Sequence, residues 1–192
     1  MTKASICVYC GSRPGLEPSY LHQAGQFGRR LAEQGWRLVY GAGDVGMMGE
    51  VARTARDNGA DLFGVIPQHL LGVERERSGL ARLVVTQTMH ERKKVMFMNC
   101  DAAVVMPGGA GTLDEFFEVL TWRQLGLHHK PIVLMNVGGY WDPLVQMLEQ
   151  MAAHGFADAA MLHSVRVVED ADGAIDSLAR HFEQLDQPAP GA

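Results

Sequence analysis

Short apolar runs rich in β-branched residues alternate along the chain with longer stretches whose apolar positions recur every three to four residues. ICVYC, RLVYG, LFGVIP, ARLVVTQ, AAVVMP, PIVLMN and VRVVED read as strands. Between and after them, LHQAGQFGRRLAEQG, VARTARDNGA, MHERKKVMFMNC, TLDEFFEVLTWRQLG, DPLVQMLEQMAAHG and AIDSLARHFEQLD read as helices. AAVVM and PIVLM show no polar alternation, which is the pattern of central parallel strands covered by helices on both faces. The order predicts an α/β fold with a doubly wound, mostly parallel sheet and helices on both faces, Rossmann-like. LLGVERERSGL predicts a surface loop, and QPAPGA a disordered end.

The length of 192 residues and the 47% apolar content suit one domain over residues 1–185, with 186–192 as the tail. The formal net charge of -5, with no basic block, argues against nonspecific nucleic-acid binding but leaves room for a small anionic ligand at a local site. MTKASICVYCG runs into a strand without an apolar signal core, and no uncharged apolar run is long enough to span a bilayer. A soluble, cytoplasmic protein is expected. Cys7 and Cys10 form C-x-x-C within a strand rather than at a helix start, so they point to opposite faces and read as core residues, as does Cys100. The His, Cys and acidic residues show no ligand spacing, and no metal or cofactor is expected.

In a sheet of this kind ligands bind beyond the carboxyl ends of the strands, so the strand-to-helix turns CGSRPG, YGAGDVGMMG, TQTMHERK and PGGAGTLDE carry the candidate chemistry. GAGDVG, residues 41–46, matches G-x-G-x-x-G. It follows the second strand rather than the first, and the acid about 20 residues on, Asp61, begins the third strand instead of ending one. A nicotinamide site is therefore disfavoured. Two readings remain: a tight turn bringing amides near a nucleotide, or a loop packed closely on its neighbours.

PGGAGT, residues 107–112, places glycines where first-turn amides carry unpaired N–H groups and partial positive charge, a setting for phosphate. It lacks the spacing and lysine of a Walker loop. Thr112 and Glu115 also fit a capping box, in which each side chain satisfies the other's backbone amide. Both readings stand at this level. A phosphate beside Asp114 and Glu115 needs a cation, and Arg92, Lys93 and Lys94 in the first turn of MHERKK offer one. His90, in the same turn, reads as structural.

Tyr40-Gly41-x-Gly43 with Gly46-Met47-Met48-Gly49, then Glu91-Arg92-Lys93, then Pro107-Gly108-Gly109-x-Gly111-Thr112-x-x-Glu115, closely resemble the LONELY GUY family of cytokinin riboside 5'-monophosphate phosphoribohydrolases. The resemblance covers nearly the whole chain, which has Ala42, Met47 and Asp114 where glycine, leucine and glutamate are usual. Such sequences are often labelled lysine decarboxylases. A pyridoxal enzyme of that kind needs a Schiff-base lysine in a much larger fold, and the lysines here are Lys3, Lys93, Lys94 and Lys130.

The resemblance implies hydrolysis of the N-glycosidic bond of a purine or cytokinin nucleoside 5'-monophosphate, releasing free base and ribose 5-phosphate. It implies Arg92 and Glu115 as catalytic residues. Substrate binding would fall to Glu74, Arg92, Lys93, Gly108, Gly109, Ala110, Gly111, Thr112, Leu113, Asp114, Glu115 and Thr121. It also implies a homodimer. The rival class is a nucleotide-holding sensor or carrier that does not cleave its ligand. Breaking the bond develops positive charge on the sugar, so a carboxylate near the anomeric carbon has a task that a capping residue has not.

Overall fold

The computed structural model describes residues 4–71 and 82–186; all but the first two residues of the predicted loop around Glu74, and all but the first residue of the predicted tail, lie outside them. One sheet contains β1 (Ser5–Tyr9), β2 (Arg37–Tyr40), β3 (Leu62–Pro67), β4 (Arg82–Thr86), β5 (Ala102–Val105), β6 (Ile132–Met135) and β7 (Val165–Val168). Their spatial order is β4-β3-β2-β1-β5-β6-β7, and every pairing is parallel. The chain builds outward from β1 to β4, then returns to place β5 on the other side of β1. That reversal opens a crevice at the carboxyl ends of β1 and β5, where ligands bind in such sheets.

The helices are α1 (Pro18–Glu33), α2 (Gly46–Asp57), α3 (Met89–Met98), α4 (Ala110–Gln124), α5 (Asp142–Ala153), the short α6 (Ala159–His163) and α7 (Ala171–Asp186). Alternation along β1 divides the core. Ile6 and Val8 face a layer with Phe27, Leu31, Met47 and Ile175, whereas Cys7 and Tyr9 face Met96, Phe116, Leu120 and Leu148. Each large side chain so buried stabilises the fold by roughly 1.5–3 kcal/mol. The C-x-x-C pair is split between the layers as expected, and all three cysteines are buried free thiols.

Four helix starts differ from the sequence pattern, among them α7, which begins at Ala171 ahead of AIDSLARHFEQLD. α1 begins at Pro18, where a missing N–H costs nothing. α2 begins at Gly46, ahead of VARTARDNGA, because its glycine-containing first turn lies against neighbouring backbone despite a low helix propensity. α4 begins at Ala110, so Thr112 and Glu115 lie inside the helix rather than at its entrance.

Candidate functional site

α3 enters through a capping box. Thr88 Oγ1 accepts from the Glu91 amide at 3.1 Å, and Glu91 Oε2 accepts from the amides of Thr88 and Gln87 at 3.3 and 2.7 Å. The capping box, one of the two readings left open for Thr112 and Glu115, is thus found one helix earlier. Such a cap stabilises by about 1 kcal/mol and fixes the rotation of the first turn. With Glu91 committed outward, Arg92 and Lys93 turn inward and are 5% and 4% exposed, while Lys94 and His90 stay on the surface.

Arg92 reaches under the sheet edge, donating from Nη2 to the Gly41 carbonyl at 2.8 Å and from Nε to the Val65 carbonyl at 3.1 Å. A Cβ at Gly41 would run into that guanidinium, which explains the glycine after β2. The GAGDVG turn therefore packs closely on its neighbours and carries Arg92. Its amides do not form the cavity described below, and Asp61 precedes β3 at the opposite end of the sheet.

At α4 the N-cap is Gly109, and no side chain caps the helix. The first-turn amides are left for another acceptor. A Cβ at Gly109 or Gly111 would meet nothing within 4 Å, and neither residue has positive φ. Glycine inside a helix costs roughly 1 kcal/mol relative to alanine. Nothing in the fold offsets that cost at Gly111, which leaves the turn open to close approach by a ligand.

Glu115 is 9% exposed, on the side of α4 that faces Arg92. Burial pushes its carboxyl from the ordinary 4.5 up to about 7, with Asp114 and Glu118 adding to the rise and Arg92 and Lys93 opposing it. Lys93 Nζ sits 2.9 Å from Asp114 Oδ2 and 3.3 Å from Glu118 Oε1, tying α3 to α4. A carboxyl titrating near neutrality can hold or release a proton at working pH. Burial also pushes the Cys10 thiol up, so it stays protonated and is no nucleophile.

These groups border a cavity of about 500 Å³ at the crevice between β1 and β5. Of the residues expected at the site, Arg92, Gly108, Gly109, Ala110, Gly111, Thr112, Asp114 and Glu115 line it. Lys93 lies behind Asp114, Leu113 packs toward the core layer, and Thr121 is exposed farther along α4; none of the three lines the cavity. Glu74 lies outside the described residues. The structure adds Ser12 and Arg13 from the turn after β1, Met89, and the aromatic pair Tyr20 and Tyr140 with centroids 5.6 Å apart. Tyr140 donates its hydroxyl to the Gly108 carbonyl at 2.7 Å, fixing the glycine turn from beyond β6. Its signal in sequence is only a Tyr-Trp pair after a strand, which packing explains equally well.

A family model described as "Possible lysine decarboxylase" matches residues 48–178. Cytokinin riboside 5'-monophosphate phosphoribohydrolase from Rhodococcoides fascians is 43% identical over 178 residues, 92% of this chain and 90% of that protein. The probable cytokinin riboside 5'-monophosphate phosphoribohydrolase LOGL1 of Oryza sativa subsp. japonica is 44% identical over 154 residues, 80% of this chain and 69% of its own length. Among solved structures, the molybdenum cofactor binding protein from the phototrophic bacterium Rippkaea orientalis aligns with a TM-score of 0.73 over 95% of this chain and 99% of that one. At 21% identity, that likeness shows the fold alone.

Proposed function

The chain belongs to the family of that model, whose curated relatives are phosphoribohydrolases, and on that premise we propose that it hydrolyses the N-glycosidic bond of a purine or cytokinin nucleoside 5'-monophosphate. The observation that carries this reading is Glu115, a buried carboxyl with a pKa near 7, facing a cavity it shares with Arg92 and an uncapped glycine turn.

In this mechanism the amides of Ala110, Gly111 and Thr112 receive the 5'-phosphate at the positive end of α4. The ribose then lies toward Glu115. As the C1'–N bond breaks, its electron pair leaves with the base and positive charge develops on the sugar, which ionised Glu115 stabilises. Water adds its oxygen to C1', its proton passes to Glu115, and that proton is then delivered to the nitrogen of the departing base, which leaves Glu115 ionised again. Arg92, anchored on two carbonyls, holds down the pKa of Glu115 and favours its ionised form. Lys93 enters through Asp114 and Glu118 rather than through the cavity.

The proposal includes a homodimer working in the cytoplasm. Met98, Leu125 and Leu127 are exposed apolar side chains near the C-terminal ends of α3 and α4, which the Phe97–Trp122 ring contact holds together. Buried free thiols suit a reducing compartment. Sedimentation at micromolar concentration tests the dimer.

Incubation with AMP and with isopentenyladenosine 5'-monophosphate, with base and ribose 5-phosphate both quantified, tests the reaction. Equal amounts of the two products support hydrolysis. Nucleotide bound without base release supports a carrier or sensor instead.

A further inference from the structure

The proposed chemistry leaves a charge unbalanced. A nucleoside monophosphate brings a dianion into a cavity that already presents Asp114 and Glu115. The two obvious cations are committed: Arg92 donates to two backbone carbonyls, and Lys93 is held between Asp114 and Glu118. Among the described residues, the other cation lining the cavity is Arg13, in the turn between β1 and α1. It is exposed and makes no hydrogen bond or ion pair among the described residues.

Arg13 has a free head group on a fixed backbone. The Gly11 amide donates to the Pro107 carbonyl at 3.0 Å, joining the turn after β1 to the turn after β5 across the crevice. The Gly11 carbonyl accepts from the Met48 amide at 3.2 Å. Gly46, with φ of 63°, brings the start of α2 so close that a Cβ there would overlap the Ser12–Arg13 peptide. Three neighbouring segments thus position the backbone of Arg13, while its exposed side chain borders the cavity. Ser12 lines the same cavity and adds a hydroxyl without a protein partner among the described residues.

We propose that Arg13 grips the 5'-phosphate of the substrate from the β1 turn, facing the amides at the start of α4, and so sets the preference for phosphorylated over unphosphorylated nucleosides. This rests on the hydrolase reading for the identity of the ligand. Arginine suits the task because its planar fork meets two phosphate oxygens at once. Arg13 is here a binding and positioning residue; the reacting atoms lie at Glu115.

The test compares wild type, Arg13→Ala and Arg13→Lys in AMP hydrolysis and in calorimetric binding of ribose 5-phosphate, with ribose as the uncharged control. Loss of a charge-assisted phosphate contact is expected to raise KM for AMP roughly ten- to hundredfold in Arg13→Ala, with kcat within about threefold, and to weaken ribose 5-phosphate binding by a similar factor. Arg13→Lys should recover part of both. Unchanged KM and unchanged ribose 5-phosphate affinity in Arg13→Ala overturn the proposal, as does failure of wild type to bind ribose 5-phosphate more tightly than ribose. If wild type binds ribose 5-phosphate through Arg13 yet releases no base, the hydrolase reading fails and the phosphate grip stands. If wild type hydrolyses AMP and Arg13→Ala matches it, the grip fails and the hydrolase reading stands.

Discussion

Lys93 places its buried ammonium 2.9 Å from Asp114, and that ion pair joins the helix carrying Arg92 to the helix carrying Glu115. Its charge acts on the site at one remove: Lys93 lowers the pKa of Glu115 and Asp114 raises it. Lys93→Met should therefore move the midpoint of the kcat/KM profile above 7, and Asp114→Asn should move it below. Rate measurements from pH 5 to 9 check both directions. Wild-type kcat/KM should rise with pH through about 7, as Glu115 ionises.

Glu115→Gln separates catalysis from stability. The native carboxyl titrates at about 7, while in the unfolded chain it ionises near the ordinary 4.5. Between those values the native state binds more protons, so this group's contribution to stability is full below about 4.5 and is lost as pH rises to 7. The loss amounts to about 3 kcal/mol, an order-of-magnitude figure. The glutamine variant lacks it, and should melt higher than wild type at pH 8 with little difference at pH 4. A capping role would instead leave both stability and catalysis nearly unchanged, since glutamine completes a capping box as glutamate does.

Gly111→Ala should stabilise the protein by up to roughly 1 kcal/mol, since the new methyl meets nothing and alanine is the better helix former. It should also raise KM for the nucleotide, because the methyl occupies the space over the first-turn amides. Thermal melting and steady-state kinetics on the same preparation check the pair. A stabilised variant with unchanged KM would place the ligand elsewhere.

Ala42 sits at φ of 61°, in the left-handed region, between Gly41 and Gly43. That conformation costs an alanine roughly 1–2 kcal/mol. Ala42→Gly removes the strain at some cost in unfolded-state entropy, so a gain of about 1 kcal/mol and a rise of roughly 2–4 °C in Tm are expected. Because the residue lies behind Arg92 and outside the cavity lining, kcat/KM should stay within about twofold.

The strand pattern is legible in the sequence because β5 and β6 are buried on both faces and must be apolar throughout, while the edge strand β4 keeps Arg82 exposed. Parallel pairing follows for the neighbours whose crossovers contain an α-helix, whereas between the parallel β3 and β4 the described residues hold only the single turn Gln68–Leu70. Helix entrances are less legible. Thr112-x-x-Glu115 and Thr88-x-x-Glu91 have the same spacing, and only the position of α4 relative to Gly109 decides which is a cap. Arg92 and Glu115 stand out in the sequence as charges near strand ends. The sequence gives no sign that Lys93 turns from the cavity toward Glu118, since that depends on the packing of α3 against α4. Arg13 and Tyr140 reach the cavity only through the sheet order, which brings β1, β5 and β6 side by side.

The most direct test quantifies free base released from AMP and isopentenyladenosine 5'-monophosphate at pH 8 by wild type and by Glu115→Gln, with folding of both verified by melting. Hydrolysis carried by Glu115 predicts base and ribose 5-phosphate in equal amounts from wild type, and a loss of on the order of a hundredfold or more in the variant. Base released equally fast by the glutamine variant would contradict it.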